Sequence, residues 1–275
     1  MNAPDTTSNF LSVPVFAIGG LDPSGGAGII ADLKTICAYG CYGAAAVTAI
    51  TEQNSLGVSS VDCVGSDRLS AQMRAVLDDL KPSTIKIGMM GNAGNVAAIC
   101  DGLEGRGITL VVDPVFASSS GHTLLDEGGV GLLKTRLLPK TSLLTPNLSE
   151  AAHLADMPIH NPDDMLAAGE RIRALGAKAV LITGGHLEGA QVIDVLIDES
   201  GARQFRGDKI SSLHTHGTGC TLASAIACNL AQGRPLDDSV VNARDFVRRA
   251  ILTAPGLGAG HGPLNHLLPV DKADG

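Results

Sequence analysis

The sequence has no tryptophan, two tyrosines and five phenylalanines among 275 residues. Without aromatic bulk, the core has to be filled by Ala, Val, Ile and Leu, as in a buried parallel sheet flanked by helices. Positive charge is not in excess either. The net charge is −8, which argues against a nucleic-acid partner or an anionic membrane surface. It leaves an anionic ligand open, because backbone amides hold phosphate without basic side chains. No window reaches the ~18 apolar residues of a membrane span. Met1 to Ser12 is polar and lacks the basic-then-apolar pattern of a signal peptide. These features predict a cytoplasmic chain with a disordered lead over 1–13. None of the six cysteines forms a Cys-x-x-Cys pair, which argues against a zinc site. Most are expected as small buried hydrophobes in a reducing compartment.

What the chain has is glycine, 34 residues placed at turns and in Gly-Gly pairs. Between them, short apolar runs alternate with segments of helical period. Val15 to Ile18, Ala45 to Ile50, Ile85 to Ile87, Ile108 to Val112, Ser142 to Leu144 and Ala179 to Ile182 read as strands. Val58 to Val64 is β-prone, and Val192 to Phe205 reads as a hairpin. Helices are predicted near 27–39, 67–80, 92–103, 148–155, 163–175, 218–231 and 236–253. This alternation predicts one α/β domain over 14–275, a mostly parallel sheet with helices on both faces. Ligands of such sheets bind beyond the carboxyl ends of the strands. Gly19-Gly20, Asp113-Pro114, Asn147, Gly184-Gly185 and Gly217-Thr218-Gly219 fall at those ends.

Three constellations carry possible chemistry. Gly19 to Gly28 (GGLDPSGGAG) joins a strand to a helix and is not a P-loop, since no Gly-Lys-Ser/Thr ends it. It is either a tight turn or a ligand pocket. Asp32, one turn further on, is expected to lean back towards the space the glycines leave. His214 to Cys220 (HTHGTGC) opens a helix whose first amides and dipole suit an anion. A thiol at that position is expected to have a lowered pKa and to act as a base or as a positioned donor. In Thr145 to Glu150, Asn147 and Glu150 have the spacing of a capping box. Capping alone explains the pair; the alternative is a Mg²⁺ site beside nucleotide phosphates, with Asp113 as a second contact. His186 and His261 lack partners at metal spacing and are read as structural or pocket-lining.

The ordered set of motifs resembles the hydroxymethylpyrimidine/phosphomethylpyrimidine kinases of thiamine biosynthesis. It comprises Gly20 to Ile29, Ala31-Asp32-Leu33-Lys34-Thr35, Tyr42-Gly43, Gln53-Asn54, Lys86-Ile87-Gly88-Met89, Asp113-Pro114-Val115, Thr145 to Leu148, Gly184 to Leu187 and Thr215 to Thr221. The resemblance covers about 14–266. It implies a ribokinase-like three-layer α/β/α fold, a homodimer, and ATP with Mg²⁺. It also implies two phosphorylations of 4-amino-5-hydroxymethyl-2-methylpyrimidine, first on the alcohol and then on the monophosphate. It places this aminopyrimidine against Gln53, Asp32, Met89 and Gly20. It makes Gly217, Thr218, Gly219 and Cys220 the anion hole, puts Asn147, Thr183, Gly185 and Thr215 near ATP, and gives Mg²⁺ to Asp113 and Glu150. Three positions depart from the family pattern. Leu21 replaces a small Ser or Thr, no lysine precedes Ser120-Gly121, and Thr183 stands where many members have lysine. Two rivals stay open: a pyridoxal or pyridoxine kinase, which shares the fold and the Gly217 to Cys220 turn, and a non-catalytic pyrimidine-binding regulator, to which the missing lysines lend support.

Overall fold

The apolar runs pair into one nine-stranded sheet of order β3-β2-β1-β4-β5-β6-β7-β8-β9. The computed structural model describes residues 13–118, 121–185, 187 and 189–268. The expected lead, apart from Val13, lies outside the described residues, as do Ser119, Ser120 and His186. β1 (Pro14–Leu21), β2 (Tyr42–Asn54), β4 (Thr84–Ile87), β5 (Thr109–Val112), β6 (Leu143–Leu144) and β7 (Val180–Ile182) run parallel. β3 (Gly57–Cys63), β8 (Gln191–Asp198) and β9 (Gly201–Asp208) add antiparallel edges.

Side-chain alternation along β1 divides the core. Phe16 and Ile18 face a cluster with α2 (Ser66–Asp79), α3 (Ala93–Gly102), α4 (Glu127–Leu132), α5 (Leu148–Ala155) and α6 (Pro162–Ala174). Val15 and Ala17 face the opposite cluster, with α1 (Gly28–Ala38), α7 (Thr218–Ala231) and α8 (Leu236–Leu252). This is the three-layer α/β/α architecture. Among the described residues no helix is long and apolar enough to cross a membrane. Cys41, Cys100 and Cys228 are buried as expected, whereas Cys37 and Cys63 are exposed.

Two features place the site. β1 pairs with β2 on one side and with β4 on the other, so the strand order reverses there and leaves a crevice at the carboxyl ends. β2 also continues past its last β1 partner, Ile50, to Asn54, pairing with β3 as a hairpin that overhangs the crevice. The segment after α8 returns to this region. Gly262 O accepts from His216 N (3.2 Å), and Gly260 N donates to Ser55 Oγ at the hairpin tip (3.2 Å).

His266 in that segment is buried and lies 3.0 Å from Thr221 Oγ1 on α7. Burial, then the Lys34 charge, lowers its pKa to about 4, from 6.5. The unfolded chain therefore takes up this proton at higher pH than the folded one. The contribution is fully present above pH 6.5 and is lost as pH falls towards 4, an interval worth about 3 kcal/mol. His266→Gln is expected to lose about 3 kcal/mol less than the parent between pH 7 and pH 4, measured by urea unfolding at both. Identical losses would show that His266 is not held neutral.

Candidate active site

α7 opens at the crevice on Gly217, whose φ of +82° is in the left-handed region. A β-carbon there would lie 1.9 Å from Gly26 O and 3.2 Å from Ala27 Cα, so the helix mouth rests directly on the glycine-rich loop after β1. Thr218 closes the turn, its N and Oγ1 both donating to Thr215 O (3.3 and 2.6 Å). No side chain caps the helix. The amides of Gly219 and Cys220 are next in line and have no intrahelical acceptor. A β-carbon on Gly219 would lie 3.5 Å from Asp113 Oδ2, so this carboxylate, following β5, stands beside the mouth.

Asp113 and Glu150 are both buried. Glu150 closes a reciprocal capping box: its N donates to Asn147 Oδ1 (3.0 Å), and its Oε2 accepts from Asn147 N (2.9 Å). The capping reading of this pair therefore holds. Burial, then the Asp113 charge, pushes the Glu150 carboxyl up to about 8, against the Asn147 and Phe116 amides. Burial likewise raises Asp113 to about 6; Lys86 and a hydrogen bond from the Cys220 thiol pull it down, and Asp32 pushes it up. Two buried acids, one of which raises the other's proton affinity, are relieved by a divalent cation. The described residues contain no group of three or more His, Cys, Asp or Glu side chains fit for a metal. Two acids nevertheless suit Mg²⁺, which takes its other ligands from phosphate and water.

Two expectations are corrected. The Cys220 thiol does not have a lowered pKa. The residue is half-buried, and this burial pushes the sulfur up to about 12, outweighing Lys86 and the Gly28 amide. Cys220 is therefore a protonated thiol at neutral pH. Asp32 does not face the pocket. It is fully buried, with Lys86 Nζ at 2.8 and 2.9 Å from its two oxygens and Ser224 Oγ at 2.8 Å. Helical direction sends Asp32 towards the N-terminus of α1 as expected, but it points inward between β4 and α7, where Lys86 neutralises it.

A different carboxylate, Asp22, joins the loop after β1 to the loop before α7. Its Oδ1 accepts from Ser24 N (2.8 Å) and Oγ (2.7 Å), and its Oδ2 from Ala27 N (2.9 Å). Oδ2 also lies 2.8 Å from His216 Nε2. Burial alone would raise this carboxyl; the His216 and Ser24 hydrogen bonds outweigh it and hold Asp22 below the usual value. His216 Nε2 is therefore an N–H directed at a carboxylate. The Gln53 amide lies 3.3 Å from the same nitrogen and 3.1 Å from Thr51 Oγ1, whose hydroxyl donates to Leu21 O (3.0 Å). Gln53 Nε2 is the atom nearer His216 and Oε1 the one nearer Thr51; with the amide turned over, its NH₂ donates to Thr51 and its oxygen shares the His216 N–H with Asp22. Sequence reading missed Asp22 and His216, although both stood inside recognised motifs. What it lacked was the crossing of the β1 and α7 loops that brings them together.

The remaining candidates fall into two groups. At Gly20 a β-carbon would lie 2.6 Å from Met89 Sδ, so the glycine gives Met89 its place beneath Gln53's strand, against Ala49 and Leu124. Across β6 and β7, Thr183 N donates to Pro146 O (3.0 Å), and Thr183 bridges to Asn147. Among the described residues nothing lies within 4 Å of a β-carbon on Gly185.

The family model for phosphomethylpyrimidine kinase matches residues 22–265. The hydroxymethylpyrimidine/phosphomethylpyrimidine kinase of Rhizobium meliloti is 44% identical over 253 residues, 91% of this chain and 95% of that protein. The thiamine biosynthesis bifunctional protein ThiED of Geobacter sulfurreducens is 43% identical over 94% of this chain, which spans 53% of that longer protein. Among solved structures, the Clostridium difficile phosphomethylpyrimidine kinase aligns with a TM-score of 0.77 at 38% identity, covering 87% of this chain and 99% of the other. The Staphylococcus aureus pyridoxal kinase in complex with AMP-PCP and pyridoxal aligns at 0.85 and 31% identity, covering 93% of each. With these matches running nearly end to end, the chain belongs to the phosphomethylpyrimidine kinase family of ribokinase-like enzymes.

Proposed function

We propose that the chain transfers the γ-phosphoryl group of ATP to the hydroxymethyl oxygen of 4-amino-5-hydroxymethyl-2-methylpyrimidine, and then phosphorylates the monophosphate. The observation that carries this reading is the junction of the uncapped α7 mouth with the Asp22–His216–Gln53 chain, made where Gly217 rests on Gly26. One side of that junction offers amides to an anion, and the other offers fixed donors and acceptors to a planar heterocycle. Gln53, steered by Thr51 and His216, supplies the hydrogen-bonding edge that an aminopyrimidine needs. Met89 supplies an apolar wall.

Asp113 and Glu150 would hold Mg²⁺, which neutralises charge on the phosphates when bound. Asn147, Thr183, Gly185 and Thr215 border the space left for the nucleotide. The Gly219 and Cys220 amides hold the transferring group, and each such donor is typically worth about 3 kcal/mol. Since the Cys220 thiol is protonated, it acts as a relay rather than as a thiolate. The substrate hydroxyl proton passes to Sγ as the thiol proton passes to the Asp113 oxygen that Mg²⁺ would leave free, the sulfur ends neutral, and the oxygen forms the new P–O bond as the bond to ADP breaks.

Pyridoxal is the second acceptor to test, because the chain also aligns at a TM-score of 0.85 with a pyridoxal kinase in complex with AMP-PCP and pyridoxal. ADP release is the test, with hydroxymethylpyrimidine, its monophosphate and pyridoxal assayed side by side. The pyrimidine and its monophosphate are expected to support turnover, and a preference for pyridoxal would overturn the substrate assignment. Pyrimidine binding without ADP release would instead mark a regulator.

A further inference from the structure

Lys86 is fully buried on β4, and the reading above gives it no part. A buried ammonium is costly unless paired. Here it is paired with Asp32 of α1, and Ser224 of α7 completes the cluster, so three elements meet on one charge pair. Stability does not require such a pair, since apolar side chains of the same shape usually serve as well or better.

Its position is more informative. Asp32 lies four residues after Gly28, and Ser224 four after Cys220. In each helix the two share a face one turn apart, roughly 6 Å. Gly28 and Cys220 form an upper tier, in which the Gly28 amide faces the Cys220 thiol. Asp32 and Ser224 form the tier beneath it. Lys86 reaches up between the helices, its Nζ 2.8 Å from where a β-carbon on Gly88 would stand, at the carboxyl end of β4. Asp113 borders the same strand end, its N donating to Ile87 O (2.8 Å) one residue before Gly88, so the ammonium is the end of the pair turned towards the site.

We propose that Lys86 is a positioning residue for phosphoryl transfer: locked by Asp32 and Ser224 one turn beneath the α7 mouth, its fixed positive charge holds the γ-phosphoryl group against the Gly219 and Cys220 amides. This rests on the kinase reading. The double variant Asp32→Asn/Lys86→Met removes both charges while nearly preserving shape and the acceptor for Ser224. In calorimetry with Mg²⁺, it is expected to bind AMP-PCP about tenfold more weakly than the parent and ADP within about twofold, because only the former carries a γ-group. Turnover is expected to fall at least about tenfold, with the KM for the pyrimidine changed by less than about threefold. A structural role alone would move both nucleotides and KM together.

AMP-PCP affinity and turnover equal to the parent's would overturn the proposal. Should the double variant not fold, Ser224→Ala loosens the clamp while keeping both charges. It is expected to show the same selective loss at about threefold, and parent AMP-PCP affinity in folded Ser224→Ala would also overturn the proposal. A parent that binds AMP-PCP but releases no ADP with any pyrimidine sinks the substrate reading alone, and the nucleotide comparison still decides the role of Lys86. A parent that binds neither nucleotide sinks both.

Discussion

Cys220→Ala is expected to lower turnover by about 10²- to 10³-fold while pyrimidine affinity stays within about threefold. The thiol sits at the α7 mouth and donates to Asp113, so in the proposed relay it would take the proton leaving the acceptor hydroxyl and pass its own to that carboxylate. Binding is left largely intact because Gln53, Asp22 and His216 approach from β2, the loop after β1 and the loop before α7, none through the sulfur. Cys220→Ser separates two mechanisms. A relay needs a group that donates to Asp113 and accepts from substrate, which a hydroxyl also does, so Ser is expected to retain several-fold more turnover than Ala. A thiolate mechanism would leave Ser as inactive as Ala. Steady-state kcat with calorimetric pyrimidine affinity for the three chains decides between them. Parent-like turnover in Cys220→Ala would remove Cys220 from the reaction altogether.

The strands and helices were legible wherever apolar periodicity and caps agreed. α7 spans Thr218–Ala231 as its spacing predicts, and the hairpin of β8 and β9 lies where the turn Glu199-Ser200-Gly201 puts it. β2 was read short. Its continuation to Asn54 depends on β3 rather than on its own apolar content, and that overhang carries Gln53 to the pocket. The stretch 127–140 gave no helical signal, because Gly128, Gly129 and Gly131 suppress propensity. There α4, a π-turn over Leu133–Leu137 and a 3₁₀ turn over Leu138–Lys140 are held by burial of Leu133, Leu137 and Leu138.

The site divides in the same way. Residues that meet within one loop or helix, such as Asn147 with Glu150, were legible. Those that meet across loops, Asp22 with His216 or Asp32 with Lys86, were not. Asp32 shows why: helical direction gives the axis along which a side chain leans, but not which neighbour fills the space. The expected drop in the Cys220 pKa failed for a related reason. The helix dipole is visible in sequence, whereas the desolvation that overrides it depends on what the fold packs around the sulfur.

Gly217→Ala is expected to be the most damaging single-methyl change at this site. A φ of +82° is costly for an L-residue, by about 1–2 kcal/mol. The added carbon would also stand 1.9 Å from Gly26 O and 3.2 Å from Ala27 Cα, both of them backbone atoms that no side-chain rotation can move aside. The α7 mouth must then separate from the glycine-rich loop, which shifts the Gly219 and Cys220 amides relative to Asp22 and His216. A displacement of about 1 Å between reacting groups costs about 10²-fold, so turnover is expected to fall by at least that much. Gly233→Ala supplies the control. Gly233 has the same φ of +82° just beyond the other end of α7, with nothing among the described residues within 4 Å of an added β-carbon. It is expected to lose about 1 kcal/mol of stability and to keep parent turnover. Strain alone would make the two variants alike in urea unfolding and in kcat. A Gly217→Ala chain that matched Gly233→Ala in both would mean that the contact between the α7 mouth and the loop after β1 does not govern phosphoryl transfer.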